Sequence, residues 1–287
     1  MANLKNIRSQ IKSVTSIQKV TKAMKMVAAA KLRKSQENME KGRPYSNRMK
    51  DLISNLMNDV DSSLLPLLNR PTKTTKYGIV LITADRGLAG SFNSNVIKKT
   101  ENTINALGKE NAVLFCIGKK GFEYFSKRNF DVEKYYEDLW LDLNYNKAIN
   151  IGQNIIEYFL HHRVDKVDVI YNYFKNAASQ EVLSNQILPI EFEQEEKRSS
   201  LKDIIYEPSK IEIIKSLVPK YFNTQIWQFL LESFASEQAA RMLAMENATE
   251  NAKEMISELN LEFNKARQTA ITTEMLEIVG GAEALSN

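Results

Sequence analysis

Apolar residues near the start of the chain recur at helical spacing. Steps of three or four positions separate Leu4, Ile7, Ile11, Val14, Ile17, Val20, Met24 and Val27. No glycine or proline interrupts residues 1–41, so the pattern predicts one long helix. The three-residue steps from Ile11 to Val20 depart from a strict heptad and predict local overwinding of a supercoil. Beyond Gly42 and Pro44, a helix is expected to resume at Tyr45–Asp59.

The last part of the chain carries a second, longer helical pattern. Residues 220–279 contain no glycine or proline, and a continuous helix of this length would span about 90 Å. Its seven-residue rows hold mostly apolar and small side chains, with alanines that let a partner helix approach closely. Gln238 and Arg241 are polar insertions on this seam, and such residues set register or contact a partner.

Between these ends, short apolar runs alternate with amphipathic segments. The predicted strands cover 77–83, 112–117 and 167–174, and the predicted helices cover 92–107, 118–128 and 144–163. Alternating strands and helices predict an α/β layer with some parallel pairing. A solvated loop or hinge is expected at 191–200, and Pro208 and Pro219 are expected to mark the entry to the last helix.

The two terminal helices are predicted to pair with each other in antiparallel orientation. Each is too long and too one-sided to be stable alone in water, and the α/β segment between them returns the chain to its starting point. Charge favours the same pairing, because residues 1–50 hold 13 basic and two acidic side chains whereas residues 220–287 hold five basic and ten acidic. The net charge of +4 hides this asymmetry.

Composition limits the class of protein. With 43% hydrophobic and 26% charged residues, the chain resembles an ordinary globular protein with a packed core. No apolar run approaches the roughly 18 residues of a membrane span, and residues 1–10 lack the apolar core of a signal peptide. The single cysteine, Cys116, lies in an apolar run, so a buried thiol is expected and an intrachain disulfide is impossible.

One segment stands where a phosphate-binding loop would stand. The sequence ITADRGLAGSFN (82–93) follows a predicted strand and opens a helix, but it has only Gly87 and Gly90 in GxxG spacing. Neither a GxGxxG fingerprint nor a P-loop is present, so a tight turn with Asp85 capping local amides is expected. His161 and His162 have no metal-ligand partners at useful spacing. No catalytic residue, cofactor or metal is therefore predicted.

The basic first helix leaves a second class of function open. Its lysines and arginines could neutralise phosphates, as basic helices do in DNA grooves. No aromatic residue lies in residues 1–44 to stack on single-stranded bases. By pattern alone, the alternatives are a nucleic-acid-binding protein using this helix, an α/β nucleotide-binding enzyme using the GLAG segment, and a protein whose basic helix meets an acidic partner.

Sequence blocks along almost the whole chain resemble the γ subunits of F-type ATP synthases. The first block is IRSQIKSVTSIQKVTKAMKMVAAAKLRKSQ (7–36), followed by TADRGLAG (83–90) and YEP (206–208). The last blocks are FASEQAARMLAMENATENA (234–252) and NKARQTAITTEMLEIVGGAEAL (264–285). The resemblance implies an α/β fold in which a long antiparallel coiled coil of the N- and C-terminal helices joins a Rossmann-like α/β domain that binds no nucleotide.

The resemblance also implies a mechanical, non-catalytic function. Residues 1–60 and 207–287 would form the shaft, and residues 75–205 the α/β foot. The shaft would stand inside a ring of α and β subunits, and the foot would rest with the ε subunit on the membrane c-ring, coupling proton translocation to ATP synthesis or hydrolysis. No nucleic acid partner is implied. The chain would be a peripheral protein at the cytoplasmic face of the bacterial inner membrane, held there through the complex only.

Site residues follow from the matching motifs. The resemblance places a contact with the β subunits at Met24, Lys25, Arg241, Arg267, Gln268 and Thr272, with Glu274 supporting the same region. It places the approach to the c-ring at Tyr206 and Glu207. The family turn often reads GLCG, and this chain has Ala89 instead of the cysteine.

Overall fold

The structure, a computed structural model, describes residues 4–57, 65–69, 74–192 and 207–286 of the 287-residue chain, with side chains described up to residue 282. These residues form two compact units. One unit comprises the described residues up to Ala28 together with those from Met242 onward, and the other comprises Ala29–Arg241. Helix α1 (Leu4–Met57) and helix α5 (Lys210–Ser286) each contribute to both units.

The first helix is continuous, so the predicted interruption at Gly42 and Pro44 is wrong. Pro44 lies inside α1. A proline within a helix removes one backbone hydrogen bond, but tertiary packing can override this local penalty. Here the turns after the proline bury Met49 and Ile53 in the core of the Ala29–Arg241 unit. Burial of this apolar face favours helix beyond the point where local preference predicts its end.

In the unit formed by the two chain ends, most buried and half-buried positions of α1 follow a heptad. They are residues 4, 7, 11, 14, 18, 21, 25 and 28, and the half-buried residues 15 and 24 flank this seam. The three-residue steps predicted through Ile17 and Val20 are wrong, because these side chains are 51% and 58% exposed. Gln18 and Thr21 occupy the seam in their place. The position along a regular coiled coil decides which side chain is covered, and a polar residue can be covered if it finds a partner.

Pairing of the two terminal helices is antiparallel, as predicted. The Oγ1 atoms of Thr21 and Thr249 are 2.8 Å apart, and Lys25 Nζ lies 2.6 Å from Glu246 Oε1. The residue number therefore rises along α1 as it falls along α5. The ion pair joins a basic first helix to an acidic last helix, but it is half-exposed and is worth about 0.2–1 kcal/mol. Most of the stability comes from the covered seam.

A cysteine pair across this seam should form a disulfide within one chain. We expect Thr21→Cys together with Thr249→Cys to crosslink on mild oxidation, because the two side chains already meet and point at each other. Gel mobility under non-reducing conditions measures the outcome. As a matched control, Ser16→Cys with Thr249→Cys should not crosslink, since Ser16 is an exposed position of α1. Crosslinks found only between two chains would contradict the intrachain coiled coil.

The Ala29–Arg241 unit is built on a five-stranded sheet. The strands are β1 (Tyr77–Ile82), β2 (Ala112–Ile117), β3 (Val132–Tyr136), β4 (Lys166–Phe174) and β5 (Gln180–Leu188). Their order is β3-β2-β1-β4-β5, in which neighbours among the first four are parallel and β5 is antiparallel to β4. The intervening helices are α2 (Phe92–Leu107), α3 (Lys119–Ser126) and α4 (Tyr145–Leu160).

Helices cover both faces of this sheet. On one face, α2 and α3 pack against Ile79, Leu114 and Cys116. On the other, α4 and parts of α1 and α5 pack against the opposite side chains of the same strands, including Val80 and Phe115. Parallel strands covered on both faces read as continuous apolar runs, which is why three of the four were predicted from the sequence. The α/β class is confirmed.

Two strands and one helix boundary were not predicted. Strands β3 and β5 lie at the two edges of the sheet, where exposed polar side chains such as Lys134 and Asn185 interrupt any apolar run. Helix α5 begins at Lys210, two residues after Pro208, so Pro208 marks its entry as predicted, but Pro219 lies inside the helix and its predicted place at the entry is wrong. Val218 is buried beside the proline and holds this turn in the core. Most of the loop predicted at 191–200 lies outside the described residues.

Candidate functional site

The GLAG turn (residues 83–91) follows β1 and packs against α5. Ala84, Ala89 and Phe92 form a small buried cluster with Ala240 of α5. The backbone of the turn is in the left-handed region at Leu88, with φ 64°. Small side chains on both surfaces therefore allow the backbone of the turn to lie close to the helix.

Side chains of the turn cap the start of α3, the helix that follows β2. Asp85 Oδ1 accepts a hydrogen bond of 2.9 Å from the backbone N–H of Lys119, the first residue of α3. Asp85 was predicted to cap local amides, but it caps a helix 34 residues away. Burial raises its pKa, and the Lys119 hydrogen bond partly offsets that effect. Thr83 Oγ1 accepts from the Gly121 N–H at 2.9 Å, so the start of α3 is satisfied by the chain itself.

Arg241 connects α5 to the GLAG turn. Its Nη1 donates a 2.6 Å hydrogen bond to the Gly87 carbonyl oxygen, and its Nη2 forms an ion pair with Glu237 Oε1 one helical turn earlier. The side chains of Arg241 and Glu237 are only 12% and 7% exposed. Burial raises the pKa of Glu237, while the adjacent guanidinium acts to lower it. The polar insertion recognised in the sequence thus has partners within its own unit.

Further polar and aromatic contacts join α5 to the sheet. Ser236 Oγ donates to the Asn172 carbonyl oxygen of β4 at 3.0 Å. Trp140 stacks on Phe234 of α5 with a centroid distance of 5.6 Å, and its indole N–H donates to the Thr83 carbonyl oxygen at 2.9 Å. No local sequence pattern indicates these contacts, because each joins residues separated by more than 50 positions.

The predicted contact residues of α1 lie at the coiled-coil seam. Met24 and Lys25 are both half-buried, and Lys25 pairs with Glu246. Neither side chain is fully buried between the two helices. Both therefore retain surface that a partner protein could contact.

The other predicted contact residues lie on a stretch of α5 without a covering helix. Every described side chain from residue 267 to 282 is exposed, and this stretch includes Arg267, Gln268, Thr272 and Glu274. The register that pairs Thr21 with Thr249 brings the first described residue of α1 opposite about residue 266. Five large apolar side chains between 271 and 279 are 50–67% exposed. A concentration of exposed apolar side chains marks an interaction surface.

The two residues predicted to approach the c-ring lie just before α5. Glu207 is exposed, and Tyr206 lies outside the described residues. In the parts of the chain that the structure describes, no group of three or more histidine, cysteine or acidic side chains could hold a metal ion. No helix among the same residues is long and apolar enough to cross a membrane. Cys116 is buried, and burial raises the pKa of its thiol to about 12.

Comparisons with known proteins show which proteins are similar to this chain. A family model described as ATP synthase matches residues 3–285. The ATP synthase gamma chains of Prosthecochloris aestuarii and Chlorobium luteolum are each 47% identical to the chain, over 99% and 100% of both partners. A solved central stalk and c-ring structure of the Tetrahymena thermophila mitochondrial ATP synthase is 26% identical, with a TM-score of 0.60, and covers 80% of this chain and 99% of that one.

A second solved structure agrees in fold alone. A chain of the Euglena gracilis mitochondrial ATP synthase, from an OSCP/F1/c-ring structure, has a TM-score of 0.67 at 19% identity and covers 98% of this chain. The class that these features define is the non-catalytic stalk subunit, in which paired terminal helices flank an α/β domain. The chain belongs to the ATP synthase family and, within it, to the gamma chains.

Proposed function

We propose that the chain is the central rotor shaft of an F-type ATP synthase. In this function it transmits rotation of the membrane c-ring to the catalytic β subunits and couples proton translocation to ATP synthesis or hydrolysis. The main support is the match with gamma chains over the full length of the protein. The exposed end of α5 adds to it, because an uncovered apolar helix surface fits a segment enclosed by other subunits.

The proposed contacts divide between the two units. Contacts with β would be made by Met24, Lys25, Arg241, Arg267, Gln268, Thr272 and Glu274, and contacts near the c-ring by Tyr206 and Glu207. The α subunits would complete the surrounding ring, and ε would bind beside the foot. The chain would lie at the cytoplasmic face of the bacterial inner membrane, held by the complex alone.

Neither alternative function gains support. A gamma chain is not a nucleotide-binding enzyme, and the turn that would hold a phosphate packs against Ala240 of α5. On the basic helix, the positive charge of Lys25 is paired with Glu246 of α5 within the coiled coil. Neutralisation of phosphates by this helix has no comparable support.

Co-purification tests the proposed function. An affinity tag on this chain should recover, from detergent-solubilised membranes, an assembly that hydrolyses ATP and contains α and β subunits. The isolated chain serves as the control and should show no ATP hydrolysis. Recovery of the chain with nucleic acid and without an ATPase would contradict the proposal.

Substitution Met24→Lys should lower the coupling between ATP hydrolysis and proton pumping more than it lowers stability. Met24 is half-buried at the seam, and a lysine there can extend its charge past the apolar surface. The charge could then pair with an acidic group on β, and an ion pair in a partly dehydrated contact is worth about 1–3 kcal/mol. Protons pumped per ATP hydrolysed, measured in reconstituted complexes, should fall while the melting temperature of the complex changes little.

Ile17→Lys is the matched control for this substitution. Ile17 lies on α1 in the same unit, but it is 51% exposed and outside the predicted contact set. We expect it to leave both coupling and melting temperature unchanged. An unchanged coupling ratio in Met24→Lys, together with a large fall in melting temperature, would show that Met24 is only a packing residue.

A further inference from the structure

Glu237 is a buried acidic residue to which the proposed function assigns no role. It lies on α5 where this helix packs against the GLAG turn, and its side chain is 7% exposed. Ionised carboxylates are almost never buried to this extent without a partner. Its partner is Arg241, four residues later on the same helix.

The geometry gives Glu237 control over where the guanidinium points. Arg241 divides its donors between two acceptors, since Nη2 meets Glu237 and Nη1 meets the Gly87 carbonyl oxygen at 2.6 Å. A guanidinium is a rigid planar fork, so an acceptor fixed on one nitrogen also fixes the direction of the others. Glu237 is anchored in the helix and therefore orients the bond that Arg241 makes to the turn.

Other contacts between α5 and the turn do not supply the same restraint. The cluster of Ala84, Ala89 and Phe92 with Ala240 is apolar, and apolar contacts are not directional. Lys31 of α1 is the other cation that acts on the Glu237 carboxylate, and Asp85 of the turn is a nearby like charge. Removal of the Arg241 charge would leave the repulsion between the carboxylates of Glu237 and Asp85 less compensated.

We infer that Glu237 is a positioning residue, which holds the Arg241 guanidinium on the Gly87 carbonyl oxygen and thereby fixes the GLAG turn to α5. The sheet and α5 then move as one body at this point. The mechanical consequence rests on the proposed function. In a rotor shaft, torque applied to the α/β domain passes to α5 through this fixed turn.

Hydrogen exchange in the isolated full-length chain tests the positioning. In Glu237→Gln, which keeps the size of the side chain and removes its charge, the amides whose hydrogen bonds depend on the turn, those of Ala84, Phe92 and Lys119, should exchange roughly tenfold faster than in the parent chain. Amides of β1 and β2 should keep their exchange rates, because a positioning role acts locally. The control Glu250→Gln removes the charge from an exposed pair with Lys253 on the same helix and should change neither set.

Arg241→Lys is the second variant, in case Glu237→Gln fails to fold. A lysine keeps the positive charge beside Glu237, but a single ammonium lacks the fork that also reaches Gly87. It should accelerate exchange at the same amides alone, as Glu237→Gln does. Unchanged exchange at these amides, or equal acceleration at these amides and in the strands, overturns the inference, since the second pattern is that of a general loss of stability.

The assembled complex tests the mechanical consequence separately. Protons pumped per ATP hydrolysed should fall about twofold or more in Glu237→Gln at an unchanged melting temperature of the complex. An unchanged ratio would overturn the role in torque transfer. If the chain does not co-purify with an ATPase, the proposed function fails, whereas local acceleration in the isolated chain would still establish the positioning of Arg241.

Discussion

Replacing Gly118 with alanine should lower the free energy of unfolding of the Ala29–Arg241 unit by about 4 kcal/mol. Gly118 has φ +91°, which is strained for a residue with a side chain, and the added Cβ would lie 2.0 Å from the Thr83 carbonyl oxygen. That oxygen belongs to the backbone directly after the central strand β1 and cannot rotate away. Urea denaturation followed by tryptophan fluorescence measures the effect, because Trp140 and Trp227 both lie in this unit.

Gly42→Ala is the opposite case in the same unit. Gly42 lies inside α1, and an added Cβ would meet no heavy atom within 4 Å. Alanine restricts the unfolded chain and favours helix, so this variant should be more stable by about 0.5–1 kcal/mol. A loss of less than about 1 kcal/mol for Gly118→Ala would mean that the loop between β2 and α3 relaxes at little cost.

Arg241→Ala should destabilise the isolated chain by about 3–5 kcal/mol at pH 7, because it leaves the buried Glu237 carboxylate without its counter-ion. The pKa of Glu237 in the folded chain is already raised by burial, and removal of the guanidinium raises it further. A carboxyl whose pKa is higher in the folded state binds protons more tightly there. Stability lost at pH 7 should therefore return as the pH falls through that raised pKa toward the ordinary value of 4.5.

The double variant Arg241→Ala with Glu237→Gln isolates this titration. Glutamine needs no counter-ion, so the double variant should be more stable than Arg241→Ala at pH 7 and should not gain stability from this site on acidification. Urea denaturation at pH 7 and pH 5.5 gives the comparison. If the free energy of unfolding changes between pH 7 and pH 5.5 by the same amount in Arg241→Ala and in the double variant, Glu237 does not titrate in this range.

The sequence predicted the parts of the fold that depend on local pattern. The helix at 92–107 and the strand at 112–117 agree with α2 and β2 in both bounds. The prediction was wrong where packing overrides local preference. Pro44 and Pro219 both lie within helices, because buried neighbours on either side retain the helical turn.

Seam positions were harder to predict than the helices themselves. Apolar character selected Ile17 and Val20, whereas the heptad covers Gln18 and Thr21. Thr21 is covered because Thr249 supplies a hydrogen-bond partner from α5. A sequence shows the polarity of each residue but not the partner that allows a polar residue to be covered.

In the candidate site, too, the sequence identified a residue but not the contacts that it makes. Motif resemblance identified Arg241 as a residue of interest, and its contact with β stays a prediction. Its bond to Gly87 spans 154 positions, and nothing in the local sequence of either residue indicates the other. Glu237 was missed because an acidic residue on a helix is ordinarily solvated, and only its burial distinguishes it.

The single cysteine has a practical consequence for spectroscopy. Cys116 has no exposed surface, and a thiol with a pKa of about 12 is almost entirely protonated at neutral pH. The thiolate is the nucleophile that attacks thiol-reactive dyes and spin labels, so Cys116 will stay unlabelled in the folded chain. A cysteine introduced at an exposed position will therefore carry the label alone. Angular motion of this subunit can be followed by fluorescence polarisation without first removing the native cysteine.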